Sequence, residues 1–230
     1  MVGAGDFRAA IVAAGSRLRA AGLIAGTAGN LSVRVPGGIA ITPSGLDCGA
    51  LAPEWIGVHT LDGTPVDAPF APSSELPLHL AVHATGTVGA VVHTHSAAAV
   101  AVSLLLDEVP PIHYYLASFG AAVRVVPYAP FGSTALAQGA AEALLDSSAA
   151  LLANHGAVTT GSDLAAAVEA ALTLEWLCDV YLRAAAVGSP RLLNADQMAA
   201  ARCAMAQYRA ARPSPEFGES EMSRFPDAYS

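Results

Sequence analysis

The chain has 230 residues, of which 53% are hydrophobic and 13% are charged, and its formal net charge is −8. This length suits one domain with a substantial core, and the composition is too apolar for a disordered chain. Binding of nucleic acid needs a basic surface, so the negative charge argues against a nucleic-acid partner. The richest apolar stretch, residues 97–106, is too short to span a bilayer, and no signal-peptide pattern precedes it. The three cysteines form no spaced pair, which suits a reducing compartment. We therefore expect a cytoplasmic location and no membrane partner.

All 11 basic residues of the chain are arginine, so it contains no lysine. A Schiff base to a carbonyl substrate or to pyridoxal phosphate needs an ε-amino group, and a P-loop needs its lysine. These chemistries are excluded for this chain. If it acts on a carbonyl compound, we expect a metal ion to be the electrophile.

Hydrophobic periodicity and turn residues predict alternating helices and strands along the chain. The predicted helices cover residues 6–21, 75–83, 97–106, 133–145, 163–186 and 195–208. The predicted strands cover residues 31–35, 39–42, 56–60, 90–95, 123–126 and 149–153. Since no repeat or internal linker interrupts this pattern, we predict one α/β domain over residues 1–212, followed by a polar C-terminal tail over residues 213–230.

Two histidines lie two positions apart at the end of an apolar strand, in Val91-Val92-His93-Thr94-His95. Because side chains alternate across a strand, His93 and His95 project from one face, about 6.5 Å apart along the backbone. Both rings can then reach one ion at Zn–N distances of about 2.0–2.1 Å. The alternative is two hydrogen-bonded histidines at a strand end, and the pair alone does not distinguish the two.

A third histidine, His155, follows another apolar strand and precedes Gly156, which permits a tight turn. Three histidines with one open position are typical of a catalytic zinc site. Glu75, at a predicted helix start, offers a carboxylate for proton transfer. The alternative interpretation is that Ser74 only caps the helix and Glu75 only complements its dipole.

The remaining histidines are not predicted to bind metal. His79 and His83 are spaced as in a zinc-peptidase helix, but the glutamate of that motif is missing, so we predict a packing or supporting role. His59 is predicted to lie on the surface of a strand. His113, next to Tyr114, is interpreted as a residue that supports a site.

Seven short motifs follow one another in the order found in the class II aldolase/adducin family, and residues 10–208 resemble that family, in particular its aldolase branch. The motifs are Gly-Thr-Ala-Gly-Asn at 26–30, Ile-Thr-Pro-Ser-Gly at 41–45, Pro-Ser-Ser-Glu at 72–75, Val-Val-His-Thr-His at 91–95, Ile-His-Tyr at 112–114, Pro-Tyr-Ala with Phe-Gly at 127–132, and Asn-His-Gly at 154–156. The resemblance implies a central, mainly antiparallel β-sheet flanked by helices. It also implies a C4 homotetramer with sites at the subunit interfaces.

The resemblance further implies which residues carry the chemistry. His93, His95 and His155 would bind one Zn²⁺ per subunit, and Glu75 would be the catalytic acid/base that can also contact the metal. Tyr114 would assist from the neighbouring subunit, and Tyr208 matches by position a C-terminal tyrosine that helps to close the site. Six small, donor-rich positions would bind the substrate phosphate: Gly29, Asn30, Ser44, Gly45, Ser73 and Ser74. Ser44 stands where the family pattern has threonine, so the hydroxyl group is kept.

The implied reaction is the reversible cleavage of a ketose 1-phosphate into dihydroxyacetone phosphate and a small aldehyde. The metal would polarise the carbonyl group as a Lewis acid, and Glu75 would transfer the proton at carbon. L-fuculose 1-phosphate and a deoxy-ketose phosphate such as 5-deoxyribulose 1-phosphate are equally compatible with the motifs.

Two alternatives stay open at this point. The first is a family epimerase that acts on a pentulose phosphate, but such enzymes usually carry aspartate where Glu75 stands. The second is a non-catalytic scaffold module stabilised by zinc, against which a general base beside an open metal position counts. Other family branches fit less well, because the dehydratases lack this glutamate and the decarboxylases have lysine where Ser74 stands.

Overall fold

The computed structural model describes residues 6–211, which form six α-helices, two short 3-10 helices and eight strands. The helices are α1 (Asp6–Ala20), α2 (Leu76–Ala84), α3 (Ala97–Ser103), α4 (Thr134–Ala143), α5 (Leu164–Val187) and α6 (Ala195–Ala211). The strands are β1 (Asn30–Val35), β2 (Gly38–Ile41), β3 (Gly57–Thr60), β4 (Pro65–Asp67), β5 (Ala90–Thr94), β6 (Val125–Val126), β7 (Ala149–Leu152) and β8 (Gly156–Gly161). The 3-10 helices cover Pro53–Trp55 and Tyr114–Phe119. The predicted tail, 213–230, lies outside the described residues.

All eight strands belong to one sheet, in the order β4-β3-β2-β1-β5-β8-β7-β6. Neighbouring strands are antiparallel, except that β6 and β7 run parallel. The prediction of a mainly antiparallel sheet in a single α/β fold is confirmed. Strand β5 lies at the centre, between β1 and β8, so its C-terminal end is enclosed on both sides.

Helices cover both faces of the sheet because alternate residues of the central strands point in opposite directions. On one face, Val92 packs in a cluster that includes Ile11 of α1 and Ala171 of α5. On the other face, Val91 packs in a cluster that includes Val82 of α2 and Ala140 of α4. Since His93 is two residues after Val91, it points toward the α2 face.

Two strands were not predicted from the sequence. Strand β4 has only three residues, all exposed, and carries no apolar alternation. Strand β8 begins and ends with glycine, which normally marks a turn, but its β-branched run Val158-Thr159-Thr160 is buried between β5 and β7. The prediction that His59 lies on the surface is wrong. Its ring is 2% exposed, with Nδ1 3.4 Å from the carbonyl oxygen of Gly63 in the turn that precedes β4.

Among the described helices, none combines the length and the apolar composition that crossing a membrane requires.

Candidate metal centre and substrate cleft

The end of strand β5 brings the predicted ligands together. His93 is paired with Asn30 of β1 on one side and with Val158 of β8 on the other, and its side chain is fully buried. His95 follows the last residue of β5 and is half-buried. His155 approaches the same place from the turn between β7 and β8. The strand pairing, and not the chain sequence alone, therefore sets the distance between the three rings.

The turn between β7 and β8 has an unusual backbone that positions His155. Asn154 has a φ of 59°, in the left-handed region that asparagine tolerates better than most residues. A Cβ atom at Gly156 would lie 2.2 Å from the carbonyl oxygen of Thr94. Glycine at this position lets β8 approach the end of β5, which is what places His155 beside His93.

Glu75 and the three histidines form a compact cluster. The ring centroids of the histidines are 4.7–4.9 Å apart in pairs. The Nε2 atom of His93 lies 2.8 Å from Nε2 of His95 and 2.8 Å from Oε2 of Glu75. The Nε2 atom of His155 lies 3.4 Å from Oε1 of Glu75. One candidate ligand atom from each of the four residues lies within 4.8 Å of all the others.

Two features of the cluster fit a bound cation. The Nδ1 atom of His93 is 2.9 Å from the carbonyl oxygen of Ala157; because a carbonyl only accepts, Nδ1 carries the proton and the Nε2 lone pair faces the cluster. The Oε1 atom of Glu75 is buried and has no hydrogen-bond partner among the described residues. A buried carboxylate oxygen is costly without a partner, so these residues suit a metal ion. Three nitrogen donors and one carboxylate are a ligand set that divalent transition metals bind.

The electrostatics of the site lower the pKa values of His95, His155 and Glu75. Burial lowers the pKa of His95 to about 4, and the neighbouring His93 and His155 add to this effect. Burial and His93 also lower the pKa of His155. Burial alone would raise the pKa of Glu75, but the positive charge that His93 and His155 carry when protonated, together with the Asn30 hydrogen bond, holds that pKa below its ordinary value. Neutral imidazoles and an ionised carboxylate are the protonation states that a metal needs.

A cleft of about 420 Å³ opens beside the cluster, a size that suits a small-molecule ligand. Glu75, His95 and His155 are among its lining residues. All six residues that the sequence assigned to phosphate binding line this cleft: Gly29, Asn30, Ser44, Gly45, Ser73 and Ser74. No arginine is among its lining residues, so any anion in the cleft would meet neutral donors.

Six lining residues had no predicted site role, although each lies within a quoted motif: Thr27, Ala28, Pro43, Tyr128, Ala129 and Asn154. Tyr128 and Phe131 stand at the cleft with 68% and 71% of their surface exposed, and Asn154 lies next to His155. Aromatic side chains that are exposed at a cavity indicate a binding site, but their exposure cannot be read from the sequence.

Tyr114 and Tyr208 are not among the cleft-lining residues of the described chain. Tyr114 is 47% exposed and belongs to an aromatic group in which its ring stacks on His113 at 4.4 Å. Tyr115 and Trp176 complete this group and are also exposed. Tyr208 lies on α6 and is 64% exposed.

Comparison with known proteins places this architecture in a family. Residues 9–182 match the family described as Class II Aldolase and Adducin N-terminal domain. The chain therefore belongs to the class II aldolase and adducin family, as the seven motifs indicated.

The chain is similar along most of its length to proteins that carry more specific names. It is 38% identical over 194 residues to a 5-deoxy-D-ribulose 1-phosphate aldolase of Bacillus thuringiensis, covering 83% of this chain and 91% of the relative. It is 39% identical over 180 residues to an L-fuculose phosphate aldolase of Haemophilus influenzae, covering 77% and 83%. A solved structure of an L-fuculose 1-phosphate aldolase superposes with a TM-score of 0.85 at 32% identity, covering 89% and 98%.

Proposed function

We propose that this chain is a metal-dependent aldolase that reversibly cleaves a ketose 1-phosphate into dihydroxyacetone phosphate and a small aldehyde. The observation that carries the proposal is the buried Glu75 carboxylate, in contact with His93 and His155, at a cleft lined by neutral hydrogen-bond donors. The names of the relatives, which are aldolases of 5-deoxyribulose 1-phosphate and of L-fuculose phosphate, support the same reaction.

The metal in this proposal is Zn²⁺, one ion per subunit, held by His93, His95 and His155, with Glu75 within reach. Three histidines with a further open position are the usual ligand set of catalytic zinc. When bound, the ion supplies Lewis acidity toward the substrate carbonyl group. Since the chain contains no lysine, an iminium route through a lysine is not available as an alternative.

The phosphate group is proposed to lie among the six small lining residues. The backbone N–H groups of Ser44 and Ser73 already donate to the carbonyl oxygens of Ala71 and Thr42. The uncharged donors proposed for the phosphate are therefore the hydroxyls of Ser44, Ser73 and Ser74 and the backbone N–H groups of the glycines and of Ser74. Ser73 and Ser74 lie just before Glu75, the N-cap residue of helix α2, and the N-terminal end of a helix favours an anion. An anion held only by neutral donors keeps its negative charge, so phosphate is positioned in this cleft and not neutralised.

Glu75 is proposed to move the proton at carbon. In the cleavage direction the three-carbon fragment leaves as a carbanion equivalent, and Glu75, after it has taken up a proton from water, gives that proton to the fragment and completes dihydroxyacetone phosphate. In the condensation direction Glu75 removes that proton. Its second oxygen contacts the Asn30 amide, which holds the carboxylate in one orientation.

The chain is proposed to act as a homotetramer, in which Tyr114 serves the site of a neighbouring subunit by handling the proton on the aldehyde-derived oxygen. The exposed group of His113, Tyr114, Tyr115 and Trp176 supports this, because exposed aromatic clusters are typical of interfaces. Tyr208 is proposed to help close the site. A cytoplasmic location agrees with three free cysteines, Cys48, Cys178 and Cys203.

The rim of the cleft favours an aldehyde with a small apolar substituent. Tyr128, Ala129 and Phe131 also line the cleft, and they offer apolar contacts. Lactaldehyde and acetaldehyde, the products from L-fuculose 1-phosphate and 5-deoxyribulose 1-phosphate, both carry a methyl group that fits such a surface.

The proposed function is tested by incubating the zinc-loaded protein with a panel of ketose 1-phosphates and detecting dihydroxyacetone phosphate with a coupled enzyme. We expect turnover of at least one of the two methyl-bearing substrates named above. Interconversion of pentulose phosphate epimers without release of dihydroxyacetone phosphate would instead identify an epimerase. Absence of both reactions from protein with a full complement of zinc would contradict the proposal.

A further inference from the structure

A chain of buried hydrogen bonds runs from Glu75 away from the cleft, between strand β1 and helix α2. The Asn30 amide nitrogen lies 3.1 Å from Oε2 of Glu75, and the Asn30 amide oxygen lies 2.5 Å from Nε2 of His79. The Ser32 hydroxyl then joins two rings, at 2.6 Å from Nδ1 of His79 and 2.8 Å from Nε2 of His83. Ser32, His79 and His83 are each 0% exposed.

The two elements produce this arrangement through their own periodicities. Asn30, Ser32 and Arg34 alternate along β1 and therefore point to one face of the sheet. Glu75, His79 and His83 recur every four residues from the N-cap of α2 and therefore form one stripe. The polar stripe of the helix lies directly over the polar face of the strand.

The proton on each group follows from what its partner can accept. An ionised carboxylate only accepts, so the Asn30 amide nitrogen faces Glu75 and the Asn30 oxygen faces His79. That oxygen cannot donate, so Nε2 of His79 must carry a proton. The ring of His79 is 0% exposed and its two nitrogens contact the uncharged Asn30 and Ser32 side chains, so a neutral ring is favoured and its Nδ1 accepts from Ser32.

The far end of the chain of hydrogen bonds agrees with this direction. The Ser32 hydroxyl donates its single hydrogen bond to His79. Its oxygen must therefore accept a hydrogen bond from the Nε2–H group of His83. The Nδ1 atom of His83 then has no proton for the Val88 carbonyl oxygen, and this contact is the longest of the series, at 3.3 Å. The Val88 oxygen has another donor, because Nε of Arg34 lies 3.2 Å away. The guanidinium of Arg34 also donates to the backbone carbonyl of His83.

We propose that His79 is a positioning residue for proton transfer: its Nε2–H group holds the Asn30 amide so that the amide nitrogen, and not the oxygen, faces Glu75. This inference rests on the proposed role of Glu75 as the acid/base. A reversed amide would place an oxygen 3.1 Å from the Oε2 atom of the carboxylate, and the two acceptors would repel each other. Glu75 would then turn away from the position at which it meets the substrate carbon.

The direction of the hydrogen bonds can be observed without any substrate. Neutron diffraction from crystals of the zinc-loaded wild-type protein, exchanged into D₂O, locates each deuteron. We expect a deuteron on Nε2 of His79, none on Nδ1, and the two amide deuterons of Asn30 on the side of Glu75. A deuteron on Nδ1 of His79 alone, or a reversed Asn30 amide, would overturn the proposal even if the protein is an active aldolase.

The functional consequence is tested with two amide variants of the same position. In His79→Gln the amide nitrogen reaches the place of Nε2 and can still donate to Asn30, whereas in His79→Asn the shorter side chain reaches only Ser32. The readout is hydrogen exchange at the hydroxymethyl carbon of dihydroxyacetone phosphate in D₂O, with zinc content measured in each sample. We expect His79→Asn to exchange about 10–100-fold more slowly than wild type, and His79→Gln to recover most of that loss.

Equal exchange rates in the two variants, with zinc retained, would mean that His79 only fills space. If neither variant folds, the deuteron positions in the wild-type protein decide the question. If the wild-type protein exchanges no proton and cleaves no ketose phosphate, the proposed function fails, but the orientation of Asn30 is still established by the neutron map.

Discussion

The Nε2 atom of His93 and the Oε2 atom of Glu75 lie 2.8 Å apart, although both are acceptors. The Nδ1–H group of His93 donates to the Ala157 carbonyl oxygen. The Nε2 atom therefore presents a lone pair to the Glu75 carboxylate. Two acceptors at this distance are stable in a buried place when a cation lies within reach of both. The chemistry of this pair, as well as the shape of the cluster, therefore fits a metal ion, and it motivates the first prediction.

Removing the metal should abolish turnover and lower the melting temperature. A chelator-stripped sample should be inactive, and added Zn²⁺ should restore both activity and stability, since a ligand that binds only the folded state stabilises it by about 2.7 kcal/mol at 100 times its Kd. Turnover and melting temperature are measured on the same samples, with metal content checked by elemental analysis. Full activity in verified metal-free protein would rule out the mechanism. Borohydride with substrate should trap no adduct in any sample.

The variant His95→Ala should lose the metal, because the two remaining imidazoles hold the ion much less tightly. The matched control is His113→Ala, which removes a histidine that lies outside the cluster. We expect stoichiometric zinc in the control and little in His95→Ala when both are dialysed against the same buffer. Unchanged zinc affinity in His95→Ala would show that the ligand assignment is wrong.

The variant Glu75→Gln should keep zinc but lose turnover. Glutamine preserves the shape and one oxygen, yet it cannot exchange a proton at neutral pH. General acid–base assistance is typically worth about 10²–10⁴-fold, so turnover should fall by roughly that factor. If Glu75 served only as an acid near the start of α2, the variant would lose about 0.3–1 kcal/mol of stability and turn over normally. Hydrogen exchange from dihydroxyacetone phosphate at the wild-type rate, with zinc bound, would exclude Glu75 as the base.

Acid should destabilise the protein in part through His83. Burial, and then the nearby Arg34, lowers the pKa of His83 from 6.5 to about 4. The unfolded chain therefore binds a proton that the folded chain excludes between these values. The contribution of His83 to stability is complete above pH 6.5 and is lost as the pH falls toward 4, by about 1.4 kcal/mol per pH unit.

The measurement is the free energy of urea unfolding of metal-free protein at pH 7, 6 and 5, for wild type and for His83→Gln. The glutamine amide can still donate to Ser32 but does not titrate, and the metal-ligand histidines contribute equally to both proteins. We expect a shallower dependence on pH in the variant. Parallel curves would show that His83 titrates alike in the folded and unfolded states.

The variant Gly156→Ala should be destabilised by about 1–3 kcal/mol, which is the usual cost of forcing atoms into a packed site. The new methyl group would lie 2.2 Å from the carbonyl oxygen of Thr94, so β8 must move away from β5. The control is Gly188→Ala, where an added Cβ meets no described atom within 4 Å and φ is 173°. Urea midpoints of the two variants are compared, and equal midpoints would contradict the close approach of the strands.

The predicted fold is confirmed where residues carry a local pattern. The helices that became α1, α2, α5 and α6 were predicted to within a few residues, since apolar periodicity and caps are properties of a short segment. Strand β8 was missed because its bounding glycines indicate turns, and half of its pairing comes from β5, which is distant in the chain. The burial of His59 was also missed. Its Nδ1 atom contacts the carbonyl oxygen of Gly63 in the turn that precedes β4, and this contact cannot be read from the hydrophobic pattern.

The sequence by itself determined the chemistry that the protein can carry: three strand-end histidines, one carboxylate, small donor-rich loops and no lysine. These are residue types in local motifs, and they do not depend on how distant segments meet. Only the tertiary structure decided that Asn30 lies between Glu75 and His79, residues more than 40 positions away. The direction of those hydrogen bonds depends on donors and acceptors of two elements at atomic distances, and a sequence does not specify distances between elements.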